Sequence, residues 1–304
     1  MVLKERAKPE PIDAIRVGSV RTFLNAFDEE TIEPDKVCFF RGHGDFNYDL
    51  VPSVYRNKGW IENEDVLFQE LVLKCPSDFP NDECTFQKLV KMQHYSLPTR
   101  LLDLTANPLA ALYFASSGET DSKKDGEVVF FRLRKSNVKY FDSDTVSVIA
   151  NISRRPRSFT PPPKSETSDK PEALKEFNGH SEIQYLLHEI KKEKPYFEPK
   201  IDPRDLQVVV CVRPRLDNPR IIRQDGAFLL FGIQDTKTKC AKLPQDMLFR
   251  PKGKRLLVIA NEKRKILGQL ESLGITQATL FPEIDHVSLH IKHAYARSET
   301  TENR

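Results

Sequence analysis

The sequence has no long apolar run. Its hydrophobic segments all fall short of the roughly 20 apolar residues that a membrane-spanning helix requires. The opening segment, MVLKERAKPEP, contains no apolar core of a secretory signal peptide. These absences predict a cytoplasmic protein that has no membrane partner.

Cysteine is scarce and scattered. The chain has 5 cysteines, an odd number, and none of them forms a CxxC pair. This count argues against a disulfide framework and a zinc site, and it predicts buried thiols in a reducing compartment. His286, His290 and His293 alternate as in a strand and have no acidic cluster beside them, so we expect no metal site.

Several nucleotide-binding and hydrolytic motifs are also absent. The chain has no Walker A loop, no GxGxxG after a strand and no GxSxG. Neither sign of charge dominates, because 47 basic and 44 acidic side chains leave a formal net charge of +3. That balance neither requires nor excludes a nucleic-acid partner.

Hydrophobic residues make up 39% of the chain, enough for a sizeable core, and their spacing separates helices from strands. The predicted helices cover residues 12–26, 62–73, 86–95, 182–192 and 265–273, with one more beginning at Asn107-Pro108. The predicted strands cover residues 37–40 (ended by Gly42 and Gly44), 126–133, 206–212, 226–233, 255–260 and 287–291. Helices dominate the first half and strands the second without a regular βαβ repeat, which is typical of an α+β fold.

Residues 154–175 are rich in proline and charge. Such composition rarely packs, so we expect an irregular surface insertion. A loop that contacts RNA or a partner protein is the alternative, because residues 154–157 are strongly basic.

Residues 93–115, QHYSLPTRLLDLTANPLAALYFA, place many polar side chains directly before an apolar helix. A polar network on a packed scaffold is a common way to build a binding site. His94 can donate, accept or shuttle a proton, and Tyr95 offers a flat stacking face. We expect Arg100 and Asp103 to form an internal salt bridge with a mainly structural role.

Arg41 ends an apolar strand and enters a glycine turn. Its planar guanidinium is suited to grip a phosphate or a carboxylate at two points. The alternative is a structural arginine that pairs with Asp45 or Asp103, and position alone does not separate the two.

Arg220 and Gln224 stand immediately before the predicted strand at residues 226–233. An edge glutamine can bond a sugar hydroxyl or an amide through its two donors and its acceptor. Alternatively, Gln224 caps the strand backbone.

Taken together, these strings resemble the FRG domain family, named for the motif present here as Phe40-Arg41-Gly42. The similarity continues in order through HYSLPTRLLDLTANPLAALYFA, HSEIQYLLHEIKKEKPYF, PRIIRQDGAFLLFG and ILGQLESLGITQATLFPEID. Ser96 replaces a glycine common in the family, and Leu104 replaces a common tryptophan. The resemblance implies a single FRG domain over residues 15–292, with an N-terminal extension (1–14), an irregular insertion (154–176) and a C-terminal tail (293–304).

The FRG family is similar to ADP-ribosyltransferases, which move ADP-ribose from NAD to a macromolecule. The resemblance therefore implies an α+β fold with mixed or antiparallel sheets, a helix-rich N-terminal half and NAD as substrate. It further implies a protein, RNA or DNA acceptor and a role as a bacterial toxin or antiphage effector. A regulatory partner or antitoxin would accompany such a role.

The same resemblance assigns residues to NAD. Arg41 would hold the pyrophosphate or adenosine side, Tyr95 would stack on nicotinamide, and His94 would hold a ribose hydroxyl. The complete set implied for cofactor binding is Arg41, Gly42, His94, Tyr95, Thr99 and Asn107.

The catalytic acid is where the chain departs from the superfamily. Gln224 stands where a late glutamate is expected, and glutamine cannot act as a base. Glu283 is the other candidate, and Asp225 substitutes only if the backbone turns beside it. The implied catalytic set is therefore Gln224, Glu283 and His94. A non-catalytic module that binds NAD, ADP-ribose or nucleic acid and an NAD glycohydrolase are the alternatives.

Overall fold

A computed structural model describes residues 13–26, 33–80, 83–118, 123–163, 171–283 and 287–288. Within these ranges, nine strands form one mixed sheet and helices pack against it. The predicted α+β class is confirmed. None of the described helices is long and apolar enough to cross a bilayer. All five cysteines are free thiols.

The strands are β1 (Ala14–Val17), β2 (Lys36–His43), β3 (Leu101–Thr105), β4 (Gly126–Arg134), β5 (Val138–Tyr140), β6 (Val209–Arg213), β7 (Gly226–Phe231), β8 (Leu248–Phe249) and β9 (Arg255–Val258). Their order across the sheet is β1-β9-β4-β2-β3-β7-β6-β5, and β8 pairs with β4. The pairs β1–β9 and β5–β6 are parallel, and the others are antiparallel.

The helices are α1 (Val20–Asn25), α2 (Lys58–Glu62), α3 (Glu64–Lys74), α4 (Thr85–His94), α5 (Pro108–Ser116), α6 (Asp144–Asn151), α7 (Pro171–Gly179), α8 (Ser181–Glu193), α9 (Pro219–Gln224), α10 (Lys263–Ser272) and α11 (Gln277–Leu280). The predicted helices now seen as α3, α4, α5, α8 and α10 are confirmed, as are the predicted strands now seen as β4, β6, β7 and β9.

One face of the sheet, called here the helical face, is covered by two separate groups of helices. Helices α1, α5 and α10 share a core with Phe40 and Phe130 on one half of the sheet. Helices α3, α4, α6 and α8 share another core with Phe228 and Leu230 on the other half. The two groups approach each other where β2 and β3 are neighbours.

The sheet is nearly split between β2 and β3. β2 pairs with β4 along eight residues and β3 pairs with β7 along five. Between β2 and β3, both fully described, the register contains one pair, Phe40 with Thr105. Beyond that pair the facing backbone edges separate, which leaves room for side chains in the plane of the sheet.

The helix predicted over residues 12–26 is wrong in its first half. Residues Ala14–Val17 form β1, which lies parallel to β9, and α1 begins only after Ser19. The Ser19 hydroxyl accepts a hydrogen bond from the Thr22 amide, so it caps the helix there. The strand pairs with residues about 240 positions away, which local periodicity does not reveal.

The prediction that the glycines end the first long strand is also wrong. β2 continues through Gly42 to His43 and pairs there with Glu127 of β4. A Cβ atom on Gly42 would lie 2.1 Å from the Ala111 carbonyl oxygen. Glycine is therefore present because α5 packs directly on the strand.

The described residues of the segment predicted as an irregular surface insertion include a helix and a buried side chain. Helix α7 begins inside it, at Pro171, and Phe159 is fully buried. The basic stretch is also neutralised: Arg154 pairs with Glu189, Arg155 with Glu182, and Arg157 with Glu62. These ion pairs weaken the alternative of a nucleic-acid contact at residues 154–157.

At the C-terminal end, residues 287–288 are helical where a strand over 287–291 was predicted. The rest of that predicted strand lies outside the described residues, as do His286, His290 and His293. The boundaries of a single domain over residues 15–292 stay a prediction.

Candidate functional site

A cleft of about 310 Å³ lies on the helical face, where β2 and β3 separate. This volume is at the lower end of the range for ligand pockets, about 300–1,000 Å³. Four elements supply its charged and amide side chains: Arg41 from β2, Asp103 from β3, Gln93 from α4, and Arg220 with Gln224 from α9. Residues far apart in the sequence therefore converge at the split in the sheet.

Arg41 spans the split. Its Nη1 donates to the backbone oxygen of Asp103 at 2.8 Å, in place of a missing ladder bond between the strands. Its Nε donates to His43 Nε2 at 2.9 Å. No acceptor among the described residues bonds its Nη2. Burial lowers the pKa of Arg41, but a guanidinium stays protonated at neutral pH.

Of the two structural partners considered for Arg41, the structure selects Asp103. Arg41 Nη1 lies 3.7 Å from Asp103 Oδ2. Asp45 instead pairs with Lys124, at 2.7 Å. Arg41 thus holds the fold and also presents one side of its guanidinium to the cleft.

His43 is a neutral acceptor beneath Arg41. Burial and the neighbouring charge of Arg41 lower its pKa to about 3. Since Nε2 accepts from Arg41, the proton of the neutral ring resides on Nδ1. That Nδ1 is buried and has no hydrogen-bond partner among the described residues.

A chain of hydrogen bonds orients Asp103. Thr99 Oγ1 donates to Gln93 Oε1 at 2.7 Å, and Gln93 Nε2 donates to Asp103 Oδ2 at 2.9 Å. Thr99 Oγ1 also accepts from the Leu101 amide at 3.2 Å, which fixes the direction of its hydroxyl. The Asp103 side chain remains 48% exposed, so a fixed carboxylate faces the cleft.

The predicted salt bridge between Arg100 and Asp103 is wrong. Arg100 is fully buried and pairs with Glu64, with Nη2 and Oε2 2.5 Å apart. Side chains three positions apart along a strand point to opposite faces of the sheet, so the two residues do not meet. Lys237, also fully buried, lies 3.4 Å from Glu64 and completes this ion cluster.

The segment that carries Arg220 and Gln224 is a short helix, α9, and not a strand edge. The Asn218 side chain caps its start, and Asp225 ends it in the left-handed region with φ 48°. The backbone therefore turns at Asp225, whose side chain is exposed. Gln224 does not cap β7, because its Nε2 donates to the Leu280 carbonyl at 3.0 Å.

Arg220 lies across an aromatic ring at the rim of the cleft. Its guanidinium carbon is 4.5 Å from the centre of the Phe281 ring, and Nη1 donates to the His94 carbonyl at 3.1 Å. Burial lowers the pKa of Arg220, while Glu283 and Asp103 oppose that shift. Phe281 packs edge-on against Phe114, which lines the cleft, with 5.9 Å between ring centres.

His94 and Tyr95 are placed differently from each other. The His94 ring lies against Phe228, 6.2 Å between centres, and burial with the charge of Arg220 lowers its pKa to about 4. His94 is therefore neutral near pH 7. Tyr95 is 67% exposed and does not line the cleft.

The remaining predicted residues differ in their surroundings. Gly42 lines the cleft. Thr99 is buried in the hydrogen-bond chain described above, and Asn107 caps α5 by accepting from the Leu109 amide at 2.9 Å. Glu283 follows the Phe281 ring, and its charge partly opposes the lowering of the pKa of Arg220 and of His94.

Four buried polar atoms on β2, α4, α9 and the segment after α11 have no hydrogen-bond partner among the described residues. They are His43 Nδ1, His94 Nδ1, Arg220 Nε and Glu283 Oε2. Buried polar atoms are normally paired. Of these four residues Arg220 is the one that lines the cleft, so the other three atoms are not evidence for a ligand there. Sequence reasoning missed Gln93, Phe114 and Phe281, because their roles depend on how α4, α5 and the end of α11 pack around the cleft.

Comparison with known proteins assigns a family to this region. The family model described as FRG domain matches residues 36–124. The matched stretch runs from β2 through α5 and contributes Arg41, Gln93 and Asp103 to the cleft, whereas Arg220 lies outside it. No curated protein and no solved structure matches the chain.

Proposed function

We propose that this protein, which carries an FRG domain, binds NAD in the cleft and transfers its ADP-ribose to a protein or a nucleic acid. The proposal is carried by the convergence of Arg41, Asp103 and Arg220 in one partly buried cleft. Two guanidinium groups and one carboxylate leave local positive charge, which favours a ligand that carries phosphates. The resemblance to ADP-ribosyltransferases makes NAD the ligand to test first.

The geometry suggests how NAD would lie. The Nη2 group of Arg41 and the guanidinium of Arg220 are suited to the pyrophosphate. Phe114 offers an apolar edge to one of the two ring systems of NAD. His94 does not line the cleft, so the ribose contact implied for it has no support from this geometry. Tyr95 would not contact NAD in this arrangement, because it is exposed and outside the lining.

The test uses adenine-labelled NAD with a cell lysate and the purified protein. We expect labelled protein or nucleic acid together with free nicotinamide. Arg220→Ala should weaken NAD binding by about 10- to 100-fold, because a charge-assisted hydrogen bond is worth roughly 1.5–3 kcal/mol. Arg223→Ala is the matched control, since Arg223 is exposed on the same helix and does not line the cleft.

Arg41→Ala is a second test and requires a check of folding, because Arg41 also bonds Asp103 and His43. Arg41→Lys keeps the positive charge and loses the planar guanidinium that can bind a phosphate at two points. If Arg220→Ala and Arg41→Lys both bind NAD as tightly as the wild type, the cleft is not the NAD site.

A non-catalytic binding module is the second candidate function. The observation that favours it is Gln224, which carries no charge and uses its amide nitrogen on the Leu280 carbonyl. Bound but intact NAD would establish this candidate. Nicotinamide release without transfer of label would instead establish NAD hydrolysis, in which water takes the place of the acceptor.

A further inference from the structure

We propose that Asp103 is the catalytic carboxylate of the cleft. This inference rests on the proposed function. It names the source of the carboxylate that ADP-ribosyltransferases take from a late glutamate and that Gln224 does not supply. Asp103 lies on β3, on the strand edge that faces β2, and its side chain is 48% exposed into the cleft.

The other acidic candidates are less well placed. Glu283 does not line the cleft, and its Oε2 is buried. Asp225 turns out of α9 with an exposed side chain and does not line the cleft either. Among the described residues that line this cleft, Asp103 carries the one carboxylate.

The orientation of Asp103 is fixed before any ligand binds. Oδ2 accepts from Gln93 Nε2, whose amide is itself held by Thr99. No described residue donates to Oδ1, so that oxygen is available to a ligand. Arg41 Nη1 lies 3.7 Å from Oδ2. A prearranged negative charge is most effective where positive charge develops in a transition state.

The reaction follows from this placement. The bond between the nicotinamide nitrogen and ribose C1′ breaks, and its electron pair leaves with nicotinamide, which becomes neutral. The ribose becomes an oxocarbenium ion, stabilised by the Asp103 carboxylate. The acceptor nucleophile then forms a bond to C1′, and its proton passes to Asp103.

Gln93 acts in this scheme as a positioning residue. It does not contact the reacting atoms in the scheme but sets the plane of the Asp103 carboxylate through one hydrogen bond. Gln93→Met removes that bond at similar side-chain volume. We expect kcat to fall about tenfold while the Kd for NAD stays unchanged, a split that a merely structural role would not produce.

The decisive variant is Asp103→Asn, which keeps size and shape and removes the charge. We expect NAD binding within about threefold of the wild type and a loss of nicotinamide release of about 10²–10³-fold, as found for prearranged electrostatic groups. Asp246→Asn is the matched control, because Asp246 is exposed and distant from the lining of the cleft.

The outcomes separate the two proposals. If the wild type releases nicotinamide and Asp103→Asn does so at a rate within about threefold, the role of Asp103 is overturned and the proposed function stands. Absence of nicotinamide release from the wild type in the presence of lysate overturns the proposed function, and the role of Asp103 with it. If Asp103→Asn does not fold, the kcat of Gln93→Met decides, and an unchanged kcat counts against Asp103.

Discussion

Ser96 adopts a backbone conformation that suits glycine better than serine. It follows the C-cap of α4 with φ 64°, in the left-handed region. The Leu97 amide bonds the Met92 carbonyl and the Ser96 amide bonds the Gln93 carbonyl, which is the Schellman arrangement. The resemblance to FRG domains implies glycine at this position, and glycine avoids the cost of about 1–2 kcal/mol that a left-handed residue with a Cβ carries.

Replacing this serine should therefore stabilise the protein. For Ser96→Gly we expect the free energy of unfolding to rise by about 0.5–1 kcal/mol, because relief of strain exceeds the added entropy of an unfolded glycine. Urea unfolding measures it. Ser272→Gly, at a helical residue of α10, should lower the free energy of unfolding by up to about 1 kcal/mol. Equal effects of the two changes would contradict the argument.

At the same scale, the sequence located part of the site. Arg41 and Gly42, which the motif singles out, line the cleft, and their contact with NAD stays a prediction. Asp103 was assigned to a salt bridge with Arg100, since sequence proximity does not show which face each side chain occupies. The role of Gln93 depends on the packing of α4 beside β3, which no local pattern contains.

Among the elements, the contact between β2 and α5 leaves no room for a side chain at Gly42. A Cβ there would lie 2.1 Å from the Ala111 oxygen and 2.6 Å from the Ala115 nitrogen. Both atoms belong to the backbone, so relief requires moving the whole helix. The same helix forms one wall of the cleft through Phe114 and Ser117.

Gly42→Ala should therefore lower the free energy of unfolding by about 1–3 kcal/mol or more, the usual cost of overpacking. NAD binding should weaken as well, because α5 forms part of the cleft. Gly268→Ala is the control, since Gly268 lies in α10 with no atom within 4 Å of an added Cβ. We expect that change to stabilise by about 0.4–1 kcal/mol. Thermal unfolding of both variants measures the effects, and a neutral Gly42→Ala would show that α5 moves freely.

The elements that sequence patterns predicted best are those whose stability is local. Helices such as α5 carry their own start signal, here Asn107 followed by Pro108. β1 was misread because it depends on a distant partner, β9. α9 has the same start signal as α5, Asn218 followed by Pro219, but its six residues lead directly into β7 and were interpreted as the edge of that strand. Apolar spacing does not distinguish a short strand from half of a helix.

For the whole molecule, two neutral histidines, His43 buried and His94 half-buried, make stability depend on pH. His43 and His94 have folded pKa values of about 3 and about 4, against an ordinary value of 6.5. As pH falls below 6.5, the unfolded chain takes up protons at these positions and the folded chain does not. Each histidine therefore lowers the free energy of unfolding, by up to about 1.4 kcal/mol per pH unit, until its folded pKa is reached.

His43→Gln isolates one of these contributions. Its amide oxygen can still accept from Arg41 Nε, and glutamine does not titrate. We expect the decline in unfolding free energy between about pH 6.5 and about pH 4.5 to become less steep by roughly 1 kcal/mol per pH unit, measured by urea unfolding. His188→Gln, at an exposed histidine, should leave the slope unchanged. Parallel curves for the wild type and His43→Gln would rule out a neutral buried His43.

The near-split in the sheet has a mechanical consequence. Within the sheet, the half that ends at β2 and the half that begins at β3 share one backbone pair, Phe40 with Thr105. A ligand bound by Arg41 on one side and by Arg220 on the other would connect the two halves of the sheet for as long as it stays bound. Binding would restrict the motion of the two halves relative to each other. The affinity for the ligand would therefore include the free energy of fixing the distance between β2 and β3. Slower amide hydrogen exchange along both facing strand edges, together and in proportion to occupancy, would be the sign of that coupling.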